Sequence, residues 1–349
     1  MLTEETKAML ARTGNPHQVF YAQRMRLSEG KGDGLDVIEV ENGVLRFWVL
    51  PGRGMDIGRL SCRGVNLSFL SKGGFAQSAH YDAYQMEGLH TFAGGMLTTC
   101  GLRNVGGANE CDGESFGFHG RIGQTPAEEV GIQYCLDGDK PLIRITGTVR
   151  EGRLFGDMLE LQRTITVLYG EPSFTIEDTV RNLSPNSADI MLLYHCNMGY
   201  PLLSEDAEFL TGNKFLRPVT EVAAKGVDKR YQFKAPVPAE PEQCFYYTQR
   251  GAANGKAFGA CVNEKLGMGL AVCTNPEELP LMCNWQSWAS GDYAMGIEPA
   301  TCYVDGRANN KLANQLVTLE GFGTKQTHVT FEALDRAGID RYRAMAKQD

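Results

Sequence analysis

Residues 192–203 read LLYHCNMGYPLL. They continue an apolar run that begins at Ile190, and a short apolar run bounded by Gly and Pro reads as a buried strand. His195 stands at the end of that run, and Asn197, Gly199 and Pro201 then break it. A titratable ring at a strand end, beside a turn, is a natural place for acid–base chemistry. The commoner fate of a histidine in such a run is structural, with its ring nitrogens satisfied by core partners.

Working outward, strand signals follow one another closely. Residues 35–40 and 44–49 flank an Asn-Gly turn at 42–43, which predicts a hairpin. Residues 143–149, 159–168 and 174–181 follow, the last two with the period-two alternation of strands that bury one face. Further strands are predicted at 257–262, 268–273, 293–297 and 326–334. Helix signals are confined to 3–13, with Thr3 as N-cap and Gly14 as stop, and to 336–345. Many strands, Gly-rich connections and no βαβ alternation argue for a large all-β sandwich or barrel. The Pro-, Lys- and Gly-richer stretch 212–256 reads as a long excursion within one domain, because it ends in another strand-like segment at Cys244.

The bulk numbers narrow the function. The chain has 349 residues, 42% hydrophobic and 22% charged, an ordinary globular composition able to bury a large core. A net charge of −8 argues against nucleic acid as a partner. No run of about 18 apolar residues suggests a membrane span, and the polar first residues lack a signal-peptide core, so the expected location is the cytoplasm. None of the ten cysteines forms a CxxC pair or clusters with histidines, so they read as reduced, buried small hydrophobes and no metal site is expected.

Two more stretches can carry chemistry. His119 lies in FGFHGRI, where the flanking glycine lets a ligand approach the backbone. In an extended chain Arg121, two residues on, shares its face. Glu298 ends an apolar run and precedes Pro299; apolar neighbours there would desolvate the carboxylate and raise its pKa toward that of a working base. Gly94-Gly95 and Gly106-Gly107 bracket MLTTCGLRNV and permit close backbone approach. The Gly-rich segment 51–58 has no helix pattern after it, so a dinucleotide site is not read there.

His119-Gly120-Arg121, His195-Cys196-Asn197 and Ile297-Glu298-Pro299, in that order, resemble the aldose 1-epimerase (galactose mutarotase-like) superfamily, and more narrowly its uncharacterised bacterial branch. The resemblance spans roughly residues 35–335. The chain departs from the superfamily's H-x-Y-F-N-L pattern after the second histidine, where Cys196 and Met198 flank Asn197. The aspartate that holds sugar hydroxyls in mutarotases has only Asp206 and Asp292 as candidates.

The resemblance implies an all-β fold, a mostly antiparallel β-supersandwich with short terminal helices, as one domain over 1–349. It implies an open sugar site, a small-molecule sugar as partner, no cofactor, and room for a homodimer. In mutarotation a base takes the anomeric hydroxyl proton while an acid protonates the ring oxygen; the ring opens, a bond rotates, and the ring closes on the other face. Glu298 would be the base, His195 the acid, and His119 would share charge on the ring oxygen. Arg121, Asn197, Arg103, His90, Trp285 and Asp292 would bind substrate, with Trp288 as a second stacking candidate beside Trp285. If Arg53, Arg59, Arg103 or Arg121 reach the pocket, an acidic or phosphorylated sugar fits. A binding protein without turnover, or another sugar isomerase or a lyase using Tyr194, Tyr200 or Tyr293, are the competing readings.

Overall fold

Alternation along Ala188–Met198 sets out the architecture. Tyr194, Cys196 and Met198 join the main core, while Met191 and Leu193 point to the opposite face and pack with Cys100, Ala300 and Cys302. His195 and Asn197 fall on that second face. The computed structural model describes residues 2–252 and 254–347. Its strands form two large antiparallel sheets, one of twelve strands and one of eight, with the main core between them. Ala188–Met198 is central in the larger sheet, between Leu97–Leu102 and Ala294–Ala300. The smaller sheet runs from Glu128–Cys135 at one edge to Ala207–Thr211 at the other. Phe47 of the larger sheet stacks on Phe174 of the smaller at 4.6 Å, and Phe174 stacks on Phe331 at 4.8 Å.

A polar cluster crosses this core. Arg163 donates to both oxygens of Asp178 at 2.9 and 2.7 Å, and to Asp56 at 3.2 Å across the sheets. Tyr194 donates to Asp178 at 2.7 Å, and the Thr99 hydroxyl donates to Asp56 at 2.6 Å. Burial pushes the Asp56 carboxyl up to about 6, and the Arg163 charge opposes that rise. Tyr194, a candidate in the lyase reading, is therefore a core brace directly behind His195.

The strands expected at 143–149, 159–168 and 174–181 are present as the longer Leu142–Gly152, Met158–Leu168 and Ser173–Asn182. The hairpin comprises Asp36–Glu41 and Leu45–Leu50, its turn closed by the Asn42 side chain accepting from the Val44 and Leu45 N–H groups, with Gly43 at φ +90°. The sheet starts earlier than residue 35, because Tyr21–Arg26 pairs with Asp36–Glu41. The first helix is only Glu4–Leu10, capped by Thr3, and ends before Gly14; the last is Arg336–Ala346, capped by Asp335. Two further short helices, Glu221–Gly226 and Gly306–Leu312, carry too little periodicity to be read from sequence. No described helix is long and apolar enough to cross a membrane.

Replacing Arg163 with Met would strand two buried carboxylates. Unfolding free energy, measured by denaturant titration, is expected to fall by about 3–5 kcal/mol. An unchanged midpoint would show that the cluster does not brace the sheets.

Candidate active site

Neither His195 nor Glu298 sits at a strand end. Ala188–Met198 continues past His195 because Asn197 and Met198 still pair with Gly296 and Met295, and the break comes at Gly199. Glu298 lies inside Ala294–Ala300. The ladder between these two strands skips from Cys196–Ile297 to Leu193–Ala300, next to Pro299, which has no N–H to give. His195 and Glu298 face each other across that gap. Gly296 makes the arrangement possible, since a Cβ there would stand 2.3 Å from Glu298 Oε1.

His195 Nε2 lies 3.2 Å from Glu298 Oε1. Their side chains are 8% and 2% exposed, so little solvent reaches either to support a charge. The contact is not aligned as a hydrogen bond, and Glu298 Oε1 is buried with no hydrogen-bond partner among the described residues. Burial raises the Glu298 carboxyl well above the usual range; the Glu242 charge adds to the rise, and the Cys283 thiol, its cross-strand partner, opposes it. Burial lowers the His195 imidazole to about 4, with Asn197 opposing.

His119 comes from a different element. Rather than an extended segment, the chain turns there, with φ +55° at His119 and +72° at Gly120. The turn is tied to Gly106 twice: the His119 N–H donates to the Gly106 carbonyl at 2.9 Å, and the Gly106 N–H donates to His119 Nδ1 at 3.1 Å. That second bond assigns the ring proton to Nε2. Gly106 has no alternative, because a Cβ there would lie 1.9 Å from the Val304 carbonyl oxygen. The His119 and His195 ring centroids are 5.5 Å apart, and burial followed by the His195 neighbour pushes His119 well below its ordinary value.

These three groups share one pocket of about 600 Å³ with Trp285, whose ring centroid is 5.6 Å from that of His195. Trp285 Nε1 donates to Glu242 at 2.7 Å. Asp292 stands on the pocket wall, bonded to Lys72 at 2.6 Å. The sequence reading missed Phe92, Phe118, Lys72 and Glu242, all of which line it. Only Phe118 had a signal, in the quoted FGFHGRI; the other three come from connections with no regular pattern.

The remaining expected ligands lie elsewhere. Because the chain turns at His119 and Gly120, Arg121 points away, into a second pocket with Arg103, Glu151 and Asp157. Arg103 is paired with Glu114 at 3.0 Å and with Asp157. Exposed His90 lies on a 3-10 turn, 3.7 Å from Glu87, and is not on the pocket wall. Asn197 is buried, donating to the His195 carbonyl at 2.9 Å, so it steadies the strand. Trp288 is core, against Phe233 at 4.9 Å. Asp206 pairs with Lys265 at the surface. Arg53 is a buried staple donating to the Ala76 and Thr91 carbonyls at 2.8 and 2.9 Å, and Arg59 lies over Trp48 at 5.1 Å. Tyr293 donates to the Lys234 carbonyl, and Tyr200 is an exposed residue beside a separate hollow. Among the described residues, no group of three or more His, Cys, Asp or Glu side chains is placed to hold a metal ion.

The two-sheet architecture is that of the galactose mutarotase-like proteins. A candidate aldose 1-epimerase from Klebsiella pneumoniae superposes with a TM-score of 0.89 at 24% identity, covering 95% of this chain and 88% of that one. A galactose mutarotase-like protein from Clostridium acetobutylicum gives 0.64 at 13% identity over 91% and 99%. A galactose mutarotase-related enzyme from Lactobacillus acidophilus gives 0.60 at 12% over 86% and 98%. No functionally curated protein matches the chain in sequence. The chain belongs to the family described as Domain of unknown function (DUF4432), whose profile matches residues 32–333.

His195 has a folded pKa below its unfolded value of 6.5. Its contribution to stability is therefore fully present above about pH 6.5 and is lost as pH falls through about 4. The linked loss amounts to up to about 3 kcal/mol. Denaturant titrations at pH 7 and pH 4 should show that much less acid sensitivity in His195→Gln than in the parent. Equal acid sensitivity would mean that His195 is protonated freely in the fold.

Proposed function

We propose that the protein is an isomerase of the aldose 1-epimerase type, interconverting sugar anomers in the His119–His195–Glu298 pocket. The observation that carries this reading is the buried His195–Glu298 contact at 3.2 Å. A depressed imidazole beside an elevated carboxyl favours the arrangement with the shared proton on Glu298, and pairs with pKa values pushed apart are where acid–base roles are found.

The proton count fits both halves of mutarotation. Ring opening needs a carboxylate to take the anomeric hydroxyl proton and an imidazolium to protonate the ring oxygen. After it, Glu298 is a carboxylic acid and His195 is neutral. That is the state burial favours in the free protein, and it is the state that closes the ring: Glu298 returns its proton to the aldehyde oxygen while His195 takes one from the ring-closing hydroxyl. One proton transfer between Glu298 and His195 resets the pair. This refines the resemblance-implied roles, since the free protein rests with the proton on Glu298. The Nε2–H of His119 is a neutral donor aimed at developing charge on the ring oxygen. Trp285 offers a face for stacking on the sugar.

Freshly dissolved single anomers, followed by NMR, are expected to equilibrate faster with the protein than without it. Glu298→Gln should lose turnover by about 10²-fold or more while still binding. The rate should be flat through neutrality and fall below about pH 4, where His195 takes a second proton. An acid limb near neutrality, or parental turnover in Glu298→Gln, would contradict the assignment. Binding without turnover of any sugar by the parent would favour a sugar-binding protein instead.

A further inference from the structure

The proposed acid–base groups line a cavity of about 600 Å³. One wall beside them is hydrocarbon. The Phe92 ring lies 5.4 Å from that of His195 and 6.2 Å from that of His119, and Phe118 lies 4.1 Å from His119. Met86 and Leu89, from the same connection as Phe92, extend this wall outward and are themselves exposed, at 43% and 49%. A sugar whose ring oxygen and anomeric hydroxyl reach His195 and Glu298 must turn one edge toward this wall. A hydroxyl set against these rings and aliphatic side chains gains no hydrogen bond from them, which disfavours it there, whereas a methyl group is welcome.

Charge narrows the choice further. Among the described residues no arginine lines the pocket and one lysine does, Lys72, which is bonded to Asp292 at 2.6 Å. Glu242 adds another carboxylate, engaged by Trp285. A carboxylate or phosphate on the substrate would meet like charge and a cation already paired.

We infer that the substrate is a neutral deoxy sugar, presenting a methyl group to Phe92, Phe118 and Leu89 where common hexoses carry a hydroxymethyl. The inference rests on the acid–base reading above and adds which sugars the site selects. It also removes the acidic or phosphorylated substrates that arginines at the site would have suited.

The test uses sugar pairs of identical stereochemistry that differ only in that group: L-fucose with L-galactose, D-fucose with D-galactose, and L-rhamnose with L-mannose. Galacturonate and galactose 6-phosphate serve as anionic arms. Anomer exchange by NMR gives kcat/KM, and saturation-transfer NMR gives binding independently of turnover. In at least one pair the deoxy member should be favoured 10-fold or more, the range one group can command in an apolar pocket, and the anionic sugars should be the poorest. Leu89→Asn, at the exposed mouth where the fold is not at stake, should cut that preference several-fold. Exchange with the hydroxymethyl sugars equal or superior in every pair, or with an anionic sugar best, overturns the inference and leaves the epimerase reading standing. If no anomer exchange occurs, that reading fails, and the binding arm still decides: preference for the deoxy members supports the inference, and no preference or no binding overturns it. An unchanged preference in Leu89→Asn also overturns it.

Discussion

A buried guanidinium ties the two sheets together. Arg163, on the smaller sheet, binds Asp178 of its own sheet and Asp56 of the larger one, and both carboxylates hold hydroxyls from the larger sheet, Tyr194 and Thr99. An ion set this deep stays folded only if each charge has its partners, because desolvation costs more than any single contact returns. The geometry is therefore all-or-none. It matters for the site because Tyr194 and His195 are adjacent on one strand and point to opposite faces, and Thr99 is beside Thr98, the register partner of His195. Whatever fixes Tyr194 and Thr99 in the core also fixes the imidazole on the other side.

On that other side the controlling quantity is dryness. His195 and Glu298 lie 3.2 Å apart, and burial works against charge on both, raising the carboxyl and lowering the imidazole. Two glycines create the space: Gly296 admits the carboxylate, and Gly106 lets the His119 turn lie against the backbone. The Phe92 and Phe118 rings beside the two histidines offer a ligand apolar contact rather than hydrogen bonds, so the surroundings that bury the pair also bear on what can bind.

Period-two alternation made the strands and the all-β class legible from sequence, since burial of one face imposes that pattern directly. The three residues of the candidate site could be picked out by type: a histidine in an apolar run, a histidine among glycines and a glutamate among apolar neighbours, which the fold brings to one pocket. Their placement was not. Pro299 looked like a strand end, and only the skipped ladder pairs show how a strand runs through it. Arg121 was placed beside His119 by assuming an extended chain, whereas the left-handed backbone at His119 and Gly120 turns it away. Phe92, Lys72 and Glu242 reach the site through irregular connections, where contacts distant in sequence decide position and no local period reports it.

The central claim is that Glu298 is held as a neutral acid beside a neutral His195, one proton between them. Infrared difference spectroscopy reads the carboxyl directly. At pH 7, subtracting the spectrum of Glu298→Gln from that of the parent should reveal a protonated carboxylic acid stretch that shifts in heavy water. A difference containing only ionised carboxylate bands would contradict it.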